Sequence, residues 1–143
     1  MTPLTAESLK VGDELPELGI QAINRTTLAL FAGASGDHNP MHIDLDVARS
    51  AGEPDVFAHG MLSMAYLARY VTDMFPQNTI RSFGVRFTSI TPLFAEPVCR
   101  GRITALTPDS ITLAVSVSLA DSTSTLLGEA VIDRMPLPTT HNS

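Results

Sequence analysis

The sequence predicts an α+β protein in which a curled antiparallel β-sheet of about five strands wraps around one central, buried helix. The helix is predicted from Gly60 to Phe75, where apolar residues occupy almost every helical face. A helix of that kind is normally surrounded by other elements. The chain then reads, as far as Met135, as four long strands joined by short turns. Short connections indicate antiparallel strands, because parallel neighbours need a crossover connection.

The elements that precede the central helix are shorter. Leu18 to Asn24 contains β-branched residues with some alternation, which predicts an early strand that completes the sheet. Thr26 or Thr27 can cap a short helix, and Gly36 ends it.

A second short helix and the strands are predicted from N-cap residues, from residues that end a helix, and from the alternation of apolar and polar residues. Asp44 is a good N-cap for a helix from Leu45 to Ala51, which Gly52 can end in a left-handed conformation. Pro76 ends the central helix. Strict alternation from Ile111 to Leu119 predicts a strand with one buried face. The strands predicted to form a four-strand meander are Ile80 to Thr91, Val98 to Thr107, Ser110 to Leu119 and Thr125 to Met135.

Length and composition indicate an ordinary globular protein. A chain of 143 residues with 44% apolar residues predicts a single domain, here residues 1–135, followed by a polar tail over 136–143 that we expect to be disordered. The net charge of −6 argues against nucleic acid or an anionic membrane as the main partner. One cysteine, an acidic N-terminal region and no transmembrane-like segment favour a cytoplasmic protein.

The stretch from Phe31 to His42 contains the candidate residues for proton transfer. Gly36 can adopt backbone angles closed to other residues, and Pro40 fixes its own φ angle. We therefore expect a rigid turn, without regular helix or strand across it, that holds the carboxylate of Asp37 near the imidazole of His42. An acid and a base on one short loop are typical of proton-transfer sites.

A metal site is the less favoured interpretation of the same loop. Its candidate ligands are Asp37, His38, His42 and Asp44. Pro40 prevents a regular helix across this loop, so no pair among them can use the spacing of helix-borne metal motifs, and one proline-locked loop would have to direct several ligands at one ion.

The motif Gly36-Asp37-x-Asn39-Pro40-x-His42 resembles the signature of the MaoC-like, (R)-specific enoyl-CoA hydratase family, which has the hotdog fold. Ala58-His59-Gly60-Met61 is similar to the family's start of the central helix, and Val85-Arg86-Phe87 to a recurring strand segment. The resemblance covers most of residues 20 to 135. Met41 and the turn at Pro92 to Glu96 depart from the family pattern.

The resemblance implies addition of water to the C2=C3 bond of a 2-enoyl thioester, or the reverse dehydration, without a metal or organic cofactor. Asp37 and His42 would be catalytic and hold the water between them. The N–H of Gly60 would stabilise the thioester oxyanion, with Asn39 orienting the loop or the water. His59 and Arg86 are further candidates for substrate contact; Arg86 is one of five arginines that could bind the phosphates of coenzyme A.

The expected partners are an acyl thioester of coenzyme A or acyl carrier protein and a second copy of the chain, as a homodimer or a dimer of dimers. Two alternatives stay open. A hotdog thioesterase would hydrolyse the thioester, although such enzymes generally lack the Asp-x-Asn-Pro-x-His loop. The chain could also be the active subunit of a hetero-oligomeric dehydratase.

Overall fold

Residues 9–134, which the computed structural model describes, form three α-helices and one five-stranded antiparallel sheet. The helices are α1 (Arg25–Ser35), α2 (Leu45–Ser50) and α3 (Gly60–Met74). The strands are β1 (Leu18–Gly19), β2 (Ile80–Phe87), β3 (Val98–Leu106), β4 (Ser110–Ser118) and β5 (Ser124–Asp133). The predicted α+β class, with a curled sheet around α3, is confirmed. The tail predicted to be disordered lies outside the described residues.

The order of strands across the sheet is β1-β3-β4-β5-β2, so the predicted four-strand meander is wrong in one place. Strands β3, β4 and β5 follow one another as expected, but β2 pairs with β5 at the far edge. The connection from β2 to β3 runs from Thr88 to Pro97 and is long enough to cross to the other edge. Along it, the N–H of Thr88 still donates to the carbonyl of Thr125 at 2.8 Å.

The first strand is shorter than predicted. Only Leu18 and Gly19 pair regularly with β3. Beyond them the N–H groups of Ile20 and Ile23 donate to Pro97 and Ala95 at 2.8 and 3.0 Å, so the backbone stays partly paired without forming a ladder. Proline interrupts regular pairing because it has no N–H to donate.

The N-cap of the first helix lies two to three residues before the predicted caps. Asn24, rather than Thr26 or Thr27, is the N-cap of α1, and its side-chain oxygen accepts the N–H of Thr27 at 2.9 Å. A residue with a short polar side chain and extended backbone satisfies an orphan helical donor in this way. Gly36 ends the helix with φ at 76°, as predicted.

Helix α3 packs one face into the concave side of the sheet. Its buried side chains include Leu67, Tyr70 and Val71, none of which retains measurable exposure. The alternation predicted for β4 is confirmed, because Leu113 and Val117 face this core while Thr112, Ala114 and Ser116 are half-buried. Each such apolar side chain contributes on the order of 1.5–3 kcal/mol to folding.

The prediction that α3 is enclosed on nearly every face is wrong for the single chain. Met61 is 55% exposed, and Ala65 and Arg69 are exposed on the same side. The sheet curls around only part of the helix. Within residues 9–134, no helix has both the length and the hydropathy to cross a bilayer.

Candidate active site

The loop that follows α1 is held by its own side chains. The N–H of Asp37 lies 3.2 Å from the hydroxyl of Ser35, and the N–H of Asn39 donates to Oδ1 of Asp37 at 3.2 Å. Asp37 itself is exposed. One carboxylate oxygen is therefore fixed by the backbone, and Oδ2 remains accessible to a water or a substrate.

A single 3₁₀ turn at Pro40–His42 brings the imidazole back towards Asp37. The side-chain oxygen of Asn39 accepts the N–H of Met41 at 3.1 Å and so caps this turn. The segment was expected to contain no regular helix, and this one turn is the exception. Proline favours the first position of a helical turn because its φ angle is already suitable. Asn39 thus orients the loop.

His42 is 8% exposed, and its ring is fixed by one short hydrogen bond. Its Nδ1 lies 2.7 Å from the main-chain carbonyl of Phe57. A carbonyl only accepts, so Nδ1 carries the proton, and the neutral ring keeps its lone pair on Nε2. The edge of the Phe57 ring also packs against the imidazole, with centroids 5.1 Å apart. His42 can therefore act as a base through Nε2.

His59, the N-cap residue of α3, is fully buried beside this pair. Its Nε2 lies 3.1 Å from the main-chain carbonyl of Asp37 and donates to it. Its ring stacks on that of His42, with centroids 4.0 Å apart and an interplanar angle of 25°. Burial lowers the pKa of His59, and the neighbouring His42 acts in the same direction. His59 is therefore held neutral.

The side chains of Asp37, His42 and His59 each place one polar atom within 4.8 Å of the other two. This cluster differs from the four ligands considered for a metal. Asp44 instead caps α2 by accepting the N–H of Asp46 at 3.0 Å, and His38 is exposed. Two imidazole ligands of one zinc ion must both point a nitrogen lone pair at the ion, with Zn–N distances of about 2.0–2.1 Å. The lone pairs of two nearly parallel, stacked rings lie in separate planes and do not point at one such position. The arrangement fits proton transfer better than metal ligation.

The segment that leads into α3 is anchored from both sides. Arg25 forms a bidentate ion pair with Asp55 at 2.7 and 3.0 Å, which holds the pKa of that carboxyl below its usual value. The N–H of Ala58 donates to the carbonyl of Thr91 at 2.9 Å, and the hydroxyls of Ser63 and Thr91 lie 3.3 Å apart. These contacts fix the start of α3 relative to the loop of Asp37.

Gly60 is the first residue of α3, so its N–H has no acceptor within the helix. It borders a cavity of about 280 Å³ whose lining also includes Phe57, Phe87, Ile90 and Leu126. The ring of Phe87 covers Gly60: a Cβ added at Gly60 would meet Cδ1 and Cε1 of Phe87 at 3.1 Å. Phe87 was not among the predicted site residues, although its alternation with Val85 and Arg86 signals that Val85 and Phe87 share one face of the strand.

The structure does not bring Arg86 to this cluster within the chain. Arg86 is exposed and pairs in register with Leu127, which pairs with Ser116, on the face of the sheet opposite the core. A larger depression of about 510 Å³ lies on that outer face, between Arg100, Arg102 and Glu17. Because its lining includes none of Asp37, His42, His59 and Gly60, we place the site at the smaller cavity.

The family model of the MaoC-like domain matches residues 9–107 of this chain. Peroxisomal multifunctional enzyme type 2 of Mus musculus is 29% identical over 138 residues, which is 92% of this chain and 18% of that protein. The chain also spans less than half the length of two further curated dehydratases.

Several solved structures share the fold. The R-hydratase PhaJ1 of Pseudomonas aeruginosa superposes with a TM-score of 0.80 at 26% identity, covering 91% of this chain and 85% of that one. The ChsH1–ChsH2 complex of Mycobacterium tuberculosis gives 0.77 at 26% identity, with 87% and 98% coverage.

Proposed function

Because the chain belongs to the MaoC-like family of hydratases and dehydratases, we propose that it is an (R)-specific enoyl-CoA hydratase. It adds water syn across the C2=C3 bond of a 2-enoyl-CoA and gives the (R)-3-hydroxyacyl thioester, or catalyses the reverse. The observation that carries this proposal is the placement of Asp37 and His42 on one loop, next to the helix that begins with Gly60.

The geometry supports a water held between the two side chains. A water that accepts or donates at about 2.8 Å to each partner bridges groups that are separated by up to 4.8 Å, as these are. Oδ2 of Asp37 and Nε2 of His42 are the two polar atoms that the backbone leaves available. The water oxygen bonds to C3, one proton bonds to C2, and the two side chains relay the protons.

The thioester oxygen gains negative charge as the water attacks C3. The N–H of Gly60 is the donor that we assign to it, because the start of a helix offers an unpaired N–H with the helix dipole behind it. The cavity beside Gly60 is lined mainly by apolar side chains, which suits an acyl chain.

The test is hydration of a panel of 2-enoyl-CoA thioesters of increasing chain length, measured by the loss of enoyl absorbance. We expect Asp37→Asn and His42→Asn each to lower kcat by about 10²–10⁴-fold, the usual contribution of general acid–base groups. Asn at position 42 can still donate towards the carbonyl of Phe57, so the ring nitrogen is the main loss. Asp46→Asn and His38→Gln are the matched controls, since both residues are exposed. Full activity in both dyad variants would refute the assignment.

The thioesterase alternative is separated by a free-thiol assay, because only hydrolysis releases coenzyme A. We expect no release beyond the spontaneous rate. A thiol signal that follows the enoyl signal would favour hydrolysis.

We further propose that the chain works as a homodimer with the sheets joined edge to edge, in the cytoplasm. Support comes from β2, an edge strand that within residues 9–134 pairs only with β5, and from the exposed side of α3 near Met61. Sedimentation of the purified chain should give twice the monomer mass. A monomer that gains hydratase activity only with a related second chain would favour the hetero-oligomeric version.

A further inference from the structure

We propose that His59 is a positioning residue that sets the separation of Asp37 and His42 from the entrance of α3. The inference rests on the proposed hydratase function and assigns His59 a role other than substrate contact. Its side chain is 0% exposed, so a substrate in the cavity has no surface of this ring to touch.

The first contact that carries the role is the hydrogen bond to Asp37. Nε2 of His59 lies 3.1 Å from the main-chain oxygen of Asp37, 22 residues earlier in the chain. Because the acceptor is a carbonyl, Nε2 must be the protonated nitrogen. Nδ1 then carries the lone pair, and it has no hydrogen-bond partner among residues 9–134. The buried ring of His59 is therefore fixed in one tautomer and makes one side-chain hydrogen bond within residues 9–134.

The second contact is the stack on His42. With centroids 4.0 Å apart and planes at 25°, the ring of His59 restricts the tilt of the catalytic imidazole. The ring of Phe31 also contacts that of His59, in an edge arrangement with centroids 4.8 Å apart and an angle of 67°. His59 therefore lies between α1 and the 3₁₀ turn, and its own backbone begins α3.

Burial favours a neutral His59. It is the largest influence on the pKa of His59 and lowers it, and His42 acts in the same direction through the stack. The hydrogen bond to the main chain of Asp37 and the charge of its carboxylate oppose this shift without reversing it. A neutral ring suits a residue whose role is to position its neighbours.

The proposed role of His59 extends beyond Asp37 and His42, because the next residue in the chain is Gly60. One side chain therefore holds the loop that supplies Asp37, while the adjacent peptide supplies the proposed oxyanion donor. A shift of His59 would change both distances together. Misplacement of a catalytic group by about 1 Å can cost on the order of 10²-fold in rate.

Two substitutions separate the effect of the Nε2–H donor of His59 from the effect of its aromatic ring. His59→Phe keeps an aromatic ring on His42 but removes the bond to Asp37, whereas His59→Gln keeps an N–H at about the position of Nε2 and removes the ring. We expect His59→Phe to lower kcat by about 10–100-fold with KM within about twofold, and His59→Gln to recover most of the loss. Adding His59→Phe to Asp37→Asn should cost less than His59→Phe costs in the wild type, because only its effect through Gly60 remains. Wild-type kcat in His59→Phe, no recovery in His59→Gln, or a rise in KM alone would overturn the proposal.

A measurement without substrate separates this inference from the proposed function. ¹⁵N spectra of the wild-type ring nitrogens should show His59 neutral with the proton on Nε2. The amide signals of His38 and Asn39 should move in His59→Phe and return towards their original positions in His59→Gln. If the wild-type protein hydrates no enoyl-CoA, the proposed function is wrong. These spectra would still test whether His59 holds the loop of Asp37. A proton on Nδ1 of His59 would overturn that role.

Discussion

The imidazole rings of His42 and His59 stack with their centroids 4.0 Å apart, so the two buried bases nearest to Asp37 form one unit. Each ring has one nitrogen bound to a main-chain carbonyl, Phe57 for His42 and Asp37 for His59. Both tautomers are thereby fixed. Two positive charges in this stack would repel each other in a partly dry environment, which adds to the effect of burial in lowering the pKa of His59.

Stability should fall at mildly acidic pH because of His59. Burial lowers its pKa in the folded state, while the unfolded chain takes up a proton near the ordinary value of about 6.5. The unfolded state therefore binds more protons in the window below about pH 6.5, and the free energy of unfolding decreases as the pH falls through that window, until the folded state is protonated too. Urea unfolding at about pH 5.5 and 7.5 should show a larger loss for the wild type than for His59→Gln. His38→Gln should retain the wild-type difference; equal differences in wild type and His59→Gln would contradict the prediction.

Replacing Gly60 by alanine should impair activity through Phe87. The three atoms nearest to the added Cβ all belong to that ring, and two of them lie at 3.1 Å. Phe87 is 49% exposed and can move, so we expect less than about 1 kcal/mol of lost stability. We expect kcat/KM to fall by about tenfold because the displaced ring alters the cavity.

The matched variant is Gly60→Ala combined with Phe87→Leu, which relieves the contact. Steady-state kinetics should show that the double variant recovers most of the lost kcat/KM. Failure to recover would mean that the added methyl obstructs the substrate itself.

Alanine should destabilise the protein at Gly128 but not at Gly84, two glycines on adjacent strands. A Cβ at Gly128 on β5 would overlap the main-chain oxygen of Gly84 and lie 2.9 Å from Cγ1 of Val85. Since backbone cannot rotate away, β2 would have to separate from β5, at a cost of about 1–3 kcal/mol or more. A Cβ at Gly84 meets no atom of residues 9–134 within 4 Å, so Gly84→Ala is the control and should change stability little. Chemical denaturation gives both values, and equal midpoints for the two variants would be inconsistent with the predicted strand separation.

Cys99 should be unreactive until the protein unfolds. It is 0% exposed on β3, and burial raises the pKa of its thiol to about 11. Thiolate is the reactive form, so both access and ionisation oppose labelling. Cys99 is the chain's one cysteine, so labelling with a disulfide reagent at neutral pH reports directly on opening of the sheet. The rate should rise with urea in parallel with unfolding; rapid stoichiometric labelling of the native protein would contradict this.

The local elements could be read from sequence where one residue has a specific backbone role. Gly36 ends α1 and Asp44 caps α2 as predicted. The strict alternation of β4 likewise identified its buried face. These features depend on backbone angles or on a period of two, both of which are properties of a short segment.

The position of β2 could not be read in this way. Strand order depends on which edge is available after the chain has passed over the sheet, and no short segment encodes it. Asp37 and His42 could be chosen from their loop, but the bond from His59 to the carbonyl of Asp37 joins residues that only the fold brings together. Arg86 lies on the face of β2 opposite its apolar neighbours Val85 and Phe87, and its contact with substrate stays a prediction.

The polar groups assigned to the reaction all lie between Asp37 and Gly60, on one continuous stretch of one chain. In a homodimer each copy would therefore contain a complete set of proton-transfer groups and its own oxyanion donor. Mixing intact chains with Asp37→Asn chains should give activity proportional to the fraction of intact copies, because no dyad is divided between subunits.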